Sequence, residues 1–156
     1  MPCESLLSAF APHGESRPSG PIPAMTDPLR VLLVEDHAMV AMATRLLLED
    51  LGCTVVGPAP TIAEAARLAE RHPPDLALID VRLPDGNGLD LAARLQDAGV
   101  RCAVLSADDR PADATGVAAS VPWIDKLAAD AGIRRLLAAL FPGRTAAAAR
   151  GPGNPR

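Results

Sequence analysis

The sequence predicts a doubly wound α/β fold around a five-stranded parallel sheet, and three observations predict it. Five apolar runs too short for helices recur between residues 29 and 141, and stretches of helical periodicity alternate with them. Several of the runs are apolar on consecutive residues, as strands covered on both faces are. Repeated β-α units need right-handed crossovers to return the chain, which puts helices on both sides of the sheet.

The elements follow in order. Residues 29–34 read as the first strand, and Val40, Ala43, Leu47 and Leu51 recur after it at helical spacing. Gly52 stands where a helix end favours a left-handed residue. A second strand at 53–57 leads to Thr61-Ile-Ala-Glu64, a capping-box pattern opening a helix with Ile62, Ala65, Ala66 and Ala69 on one side. The third strand, 76–79, precedes a helix carrying Leu91, Ala92, Leu95 and Ala98. The fourth, 101–105, is followed by a segment at 110–120 that is poor in large apolar residues and holds Pro111 and Gly116. The fourth helix is therefore expected to be short or irregular. A fifth strand at 121–124 leads to a last helix with Ile133, Leu136, Leu137 and Leu140 inward.

At 156 residues the chain has room for one domain. Residues 1–28 hold Pro2, Pro12, Pro18, Pro21, Pro23 and Pro28 among Gly and Ser, a composition that predicts a flexible extension. Residues 142–156, rich in Ala, Gly and Pro, are expected to form a disordered tail. With two Phe, one Trp, no Tyr and a net charge of −4, modules that stack bases on aromatic side chains are disfavoured, so no direct nucleic-acid partner is expected. Cys3, Cys53 and Cys102 are too few and too scattered for a disulfide framework or a zinc site. Glu4 stands where a signal peptide would be basic, and no run approaches the ~18 apolar residues of a membrane span. The expectation is a cytoplasmic protein.

In such folds ligands bind beyond the carboxyl ends of the strands. Glu35 and Asp36 follow the first strand, Asp80 ends the third, Ser106 ends the fourth and Lys126 lies just past the fifth. If the first and third strands are neighbours, three carboxylates converge and repel by roughly 1–4 kcal/mol per pair. They call for a cation, and an all-oxygen set with room for water suits Mg²⁺. Glu35-Asp36 alone reads equally as a helix cap. Asp80 is harder to dismiss, because it follows an apolar run and an unpaired buried carboxylate is expensive. Lys126 is the only Lys among 15 basic residues, so a compact ammonium is favoured at that position over a planar guanidinium fork.

Taken together, LLVED at 32–36, ALIDVRLPDGNG at 77–88, VLSAD at 104–108 and WIDK at 123–126 resemble the receiver domain of bacterial two-component response regulators over residues 29–141. The resemblance implies a flavodoxin-like strand order, 2-1-3-4-5. It implies Asp80 as phosphoacceptor, with Glu35, Asp36, Asp80 and the carbonyl of Arg82 around Mg²⁺. Ser106 and Lys126 would bind the phosphoryl group, and Ser106 with Trp123 would form the switch. On residue type alone, Trp123 reads equally as an edge-strand aromatic that packs. The implied partners are a sensor histidine kinase or a histidine phosphotransfer protein and a downstream protein, and pairing of two copies is a further association the resemblance allows.

Two departures stand out. Leu127 replaces the usual Pro after the lysine, which disfavours a cis peptide there. The stretch from Ser106 to Lys126 is also shorter than usual. With only about 15 residues after Phe141, a stand-alone receiver without an output domain is expected, one that catalyses only its own phosphotransfer and dephosphorylation. The alternative is a phosphate-independent pseudo-receiver that acts as a protein-binding module. A Mg²⁺-dependent nuclease or a dehalogenase-like phosphatase is disfavoured because Arg82 occupies the position where either needs an acid.

Overall fold

A computed structural model describes residues 27–144. The expected N-terminal extension lies outside the described residues apart from Asp27 and Pro28, and the expected tail lies outside them from residue 145 onward.

Strands β1 (Arg30–Val34), β2 (Thr54–Ala59), β3 (Leu76–Asp80), β4 (Arg101–Ser106) and β5 (Trp123–Asp125) form one parallel sheet in the order β2-β1-β3-β4-β5. This is the predicted order. It places β1 and β3 side by side, with Val31 opposite Leu76 and Val34 opposite Ile79. Helices α1 (Ala38–Asp50), α2 (Ile62–Arg71), α3 (Gly88–Asp97), α4 (Val117–Ser120) and α5 (Ala129–Leu140) connect or follow the strands.

Alternation along the strands sorts the core into two layers. Leu32, Val34, Ala77, Ile79 and Val104 point to one face, where Ala65 of α2 and Leu91, Ala92 and Leu95 of α3 cover them. Val31, Leu33, Leu76, Leu78 and Leu105 point to the other, beneath Leu48 of α1 and Ile133, Leu136 and Leu137 of α5. With so few aromatic residues, both layers are built from aliphatic side chains.

Three details differ from expectation. β2 runs two residues past its expected end, through Pro58 to Ala59. Proline is tolerated there because β2 is an edge strand and needs no N–H toward solvent. β5 starts at Trp123, while Val121 is buried ahead of it. The buried stripe of α1 is Ala41, Thr44 and Leu48, one position on from the predicted Val40, Ala43, Leu47 and Leu51. The helix is apolar almost all round, so two stripes fit the same spacing, and a Thr on the inward one disguised it. Met39, Met42 and Leu46 are left exposed.

The fourth helix is a single turn, as the sequence predicts. Arg110 holds its end, donating to the carbonyls of Ala119 at 3.4 Å and Val121 at 3.3 Å. Thr61 caps α2 by accepting from the Glu64 N–H, also as predicted, at 3.1 Å. Gly88, the first residue of α3, sits so close to β3 that a Cβ would lie 1.9 Å from the Asp80 carbonyl oxygen. Only glycine lets α3 begin directly against the end of that strand.

The α1 register makes a clear prediction. Leu48→Ala removes a fully buried side chain and should cost about 2–5 kcal/mol, whereas Leu46→Ala two residues away should stay within about 0.5 kcal/mol. Urea unfolding of the two variants checks it; equal losses would contradict the observed face.

Candidate functional site

Among the described residues only four polar side chains are buried, Glu35, Thr44, Asp80 and Ser106, and three of them lie at the carboxyl ends of the central strands. Their positions follow from chain register. Glu35 follows β1, and its N–H donates to the Ala59 carbonyl at 3.0 Å, extending the β1–β2 pairing past the strand's end. Asp80 closes β3 opposite Leu105, and Ser106 closes β4 opposite Asp125. Lys126 begins the 3₁₀ turn Lys126–Ala128, one residue beyond β5. The turn is set by Asp125, whose carboxylate accepts from the Leu127 N–H at 2.8 Å. The Lys126–Leu127 peptide is not cis, consistent with the missing proline.

These side chains surround a cavity of about 500 Å³ that Asp36, Arg82 and Trp123 also line. One carboxylate oxygen from each of Glu35, Asp36 and Asp80 lies within 4.8 Å of the other two. Lys126 Nζ is 2.8 Å from Asp80 Oδ2 and 2.8 Å from Glu35 Oε2. The other Asp80 oxygen accepts from the Arg82 N–H at 3.1 Å, and Glu35 Oε1 accepts from the His37 N–H at 3.0 Å. Asp36 is exposed. The predicted set of Glu35, Asp36, Asp80, Ser106 and Lys126 is therefore assembled in one place from four different chain segments.

The electrostatics are strained in one direction. Burial pushes the Glu35 carboxyl above its usual range, against hydrogen bonds from Lys126 and the His37 N–H, and the nearby Asp80 charge adds to the rise. Burial works against the Lys126 ammonium too, but its hydrogen bonds to Asp80 and Glu35 outweigh this and hold its pKa above that of an ordinary lysine. One cation thus serves two buried acids while a third stands beside them. Such a site has excess negative charge, and the three residues whose ligand atoms cluster there all offer carboxylate oxygen.

A family model of the response regulator receiver domain matches residues 31–140. The chain belongs to this family. Among its relatives, the receiver is 41% identical over 68 residues to the transcriptional regulatory protein PdtaR of Mycobacterium tuberculosis, covering 44% of this chain and 33% of that protein. It is 42% identical over 83 residues to the DNA-binding transcriptional activator DevR/DosR of the same organism, covering 50% and 37%. The chain spans about a third of the length of the curated relatives it matches. A LuxR-family two-component response regulator from Aurantimonas superposes with a TM-score of 0.65 at 27% identity, covering 76% of this chain and 89% of that one. A CheY-like receiver domain from Methylobacillus flagellatus shares the fold, with a TM-score of 0.64 at 23% identity over 72% of this chain and 98% of that one.

Some features of the receiver's cavity were not legible in the sequence. The Arg82 side chain reaches across to Asp108, with a donor–acceptor distance of 2.6 Å, at the cavity mouth. Asp85 accepts from the N–H groups of Ile62 and Ala63 at 2.8 and 3.0 Å, tying the loop after Asp80 to the start of α2 and holding its own pKa below the usual range. Both partnerships join residues more than 20 positions apart, and no spacing rule signals them. Trp123 is half-buried, with its Nε1 donating to the Ala118 carbonyl at 2.9 Å, so its ring links the cavity to α4.

The raised Glu35 pKa fixes the sign of a stability effect. The stability this group contributes is complete below its ordinary value of 4.5 and is lost as pH rises through the elevated one. Without divalent cation, Glu35→Gln should therefore unfold at a higher temperature than wild type at neutral pH, and the gap should close as pH is lowered toward 4.5. Lys126→Ala strands two buried acids and should cost about 3 kcal/mol. Calorimetry across pH in a chelating buffer checks both; a Glu35→Gln variant less stable than wild type at neutral pH would refute the first.

Proposed function

We propose that this receiver accepts a phosphoryl group on Asp80 from a sensor histidine kinase or a histidine phosphotransfer protein, with Mg²⁺ bound, and that a partner protein reads the phosphorylated form. The observation that carries the reading is Asp80 itself: a buried strand-end carboxylate 2.8 Å from Lys126, with two further carboxylates within 4.8 Å, opening onto a cavity. A carboxylate oxygen attacks phosphorus, the bond from phosphorus to the donor histidine nitrogen breaks, and the imidazole leaves with that electron pair. In such transfers catalysis is mostly positioning and electrostatics.

The donor set fits a hard divalent ion, since the three clustered groups are all carboxylates and Lys126 cannot balance three acids. Glu35, Asp36, Asp80 and the Arg82 carbonyl would hold Mg²⁺, which supplies charge neutralisation to the phosphoryl oxygens. Lys126 keeps its place beside Asp80 and pairs with the new anion. The Ser106 hydroxyl, which now accepts from the Asp108 N–H at 3.0 Å, turns to donate to a phosphoryl oxygen and draws its loop inward. Trp123 follows and carries the change to α4 through its bond to Ala118. A local charge event thereby biases a two-state element.

The surroundings suit a protein donor. Met39, Met42 and Leu46 form an exposed stripe along α1, and Met39 and Leu127 share a groove with Lys126. No helix among the described residues is long and apolar enough to cross a membrane, and the chemistry belongs to the cytoplasm, where phosphohistidine donors are made. The protein turns over no external substrate beyond its own phosphorylation and dephosphorylation.

Incubation with acetyl phosphate and Mg²⁺ should add one phosphoryl group to the wild type, seen by intact mass, and none to Asp80→Asn. Chelating the metal should slow labelling by roughly an order of magnitude or more. A phosphate-independent binding module would remain unlabelled under every condition.

A further inference from the structure

The loop that follows Asp80 carries one group that the proposed metal site uses, the Arg82 carbonyl, and one that it does not, the Asp85 carboxylate. The base of the loop is closed by the Gly88 N–H, which donates to the Val81 carbonyl at 2.8 Å. Above that base, Arg82–Leu83 and Gly86–Asn87 form a two-residue antiparallel hairpin, with Arg82 opposite Asn87 and Leu83 opposite Gly86. Leu83 is buried in the layer beneath α2 and α3. Pro84 and Asp85 make the tip, and both are exposed. A surface tip of this kind has no packing of its own to hold it.

Asp85 supplies the hold. Its Oδ1 accepts from the Ile62 N–H at 2.8 Å and its Oδ2 from the Ala63 N–H at 3.0 Å. These are the first two amides of α2, which have no partner within the helix. A carboxylate suits such donors, because its charge also meets the positive end of the helix dipole. The contact is close along the tip: a Cβ on Gly86 would lie 3.0 Å from Ile62 Cδ1. α2 is in turn seated on the sheet through Ala65, which is fully buried. The hairpin is thus fixed at its base by the end of β3 and at its tip by α2, and Arg82 lies between the two anchors.

Resting on the metal reading above, we infer that Asp85 is a positioning residue for the divalent ion: its two bonds to α2 hold the hairpin, and with it the Arg82 carbonyl, where Mg²⁺ takes it. Glu35, Asp36 and Asp80 stand at the ends of β1 and β3, which are packed on both faces and need no such help. The Arg82 carbonyl is the one proposed ligand carried by a hairpin, so its place depends on what fastens the hairpin. Groups that orient a metal's ligand without touching the metal contribute to affinity through that ligand. Asp85 does so from the far side of the loop, by way of a helix that contributes no ligand.

The test is a calorimetric titration of the full chain with magnesium chloride at neutral pH. Asp85→Ala should bind Mg²⁺ roughly tenfold more weakly than wild type. Asp85→Asn, equally uncharged but with one acceptor oxygen left for α2, should fall between the two. Thr61→Ala removes a cap from the same helix and leaves the hairpin tethered, so it should lose stability in urea yet bind Mg²⁺ as wild type does. Unchanged affinity in Asp85→Ala would overturn the inference. So would equal weakening in Asp85→Asn and Asp85→Ala, since the effect would then belong to the lost charge, or a Thr61→Ala variant as weak as Asp85→Ala, since it would then belong to α2 as a whole. If the wild type takes up no Mg²⁺, the metal reading itself fails, and this inference with it.

Discussion

Lys126 shared between Asp80 and Glu35 is the interaction on which the rest of this molecule turns. Two carboxylates that are almost fully buried would be prohibitive without a cation between them, and the ammonium answers only one of their charges. Asp36 adds a third acid at the cavity edge. The fold therefore carries a deliberate electrostatic deficit, and both of its proposed ligands, a divalent ion and a phosphoryl group held with it, are what such a deficit selects.

Holding that arrangement is the work of the sheet. Its two aliphatic layers bury β1 and β3 on both faces, so the ends of the strands have little freedom to shift. Gly88 lets α3 start against the Asp80 carbonyl, and Asp85 pins the intervening loop to α2. Rigidity on this side contrasts with the segment after β4. There, one helical turn is held by the Arg110 and Trp123 hydrogen bonds to backbone carbonyls, with no large buried side chain of its own. A charge change at Asp80 meets a stiff wall on one flank and a weakly held element on the other. Motion is expected on the weak flank.

Most of the site was legible as residue types at strand ends, because a parallel sheet delivers successive carboxyl ends to one rim. Asp80 after Leu-Ala-Leu-Ile and the single Lys at 126 could be singled out before any geometry was known. The α1 face was misjudged by one position, since a helix apolar almost all round does not say which side is inward, and Thr44 hid among the buried residues. Arg82 was predicted for its carbonyl alone. That its side chain spans the cavity mouth to Asp108 depends on how two loops approach each other, which no local pattern records.

By itself, then, the sequence determined the alternation of strand and helix, the short fourth helix and the identities of the acids and the lysine at the strand ends. Those features depend on periodicity, turn chemistry and residue type, all of which act over a few neighbouring positions. Only the tertiary structure decided which acids the lysine touches, which face of α1 is buried, and how Arg82, Asp85 and Trp123 are engaged. Those outcomes depend on distances between segments far apart in the chain, and they are set by sheet register and packing rather than by any local preference.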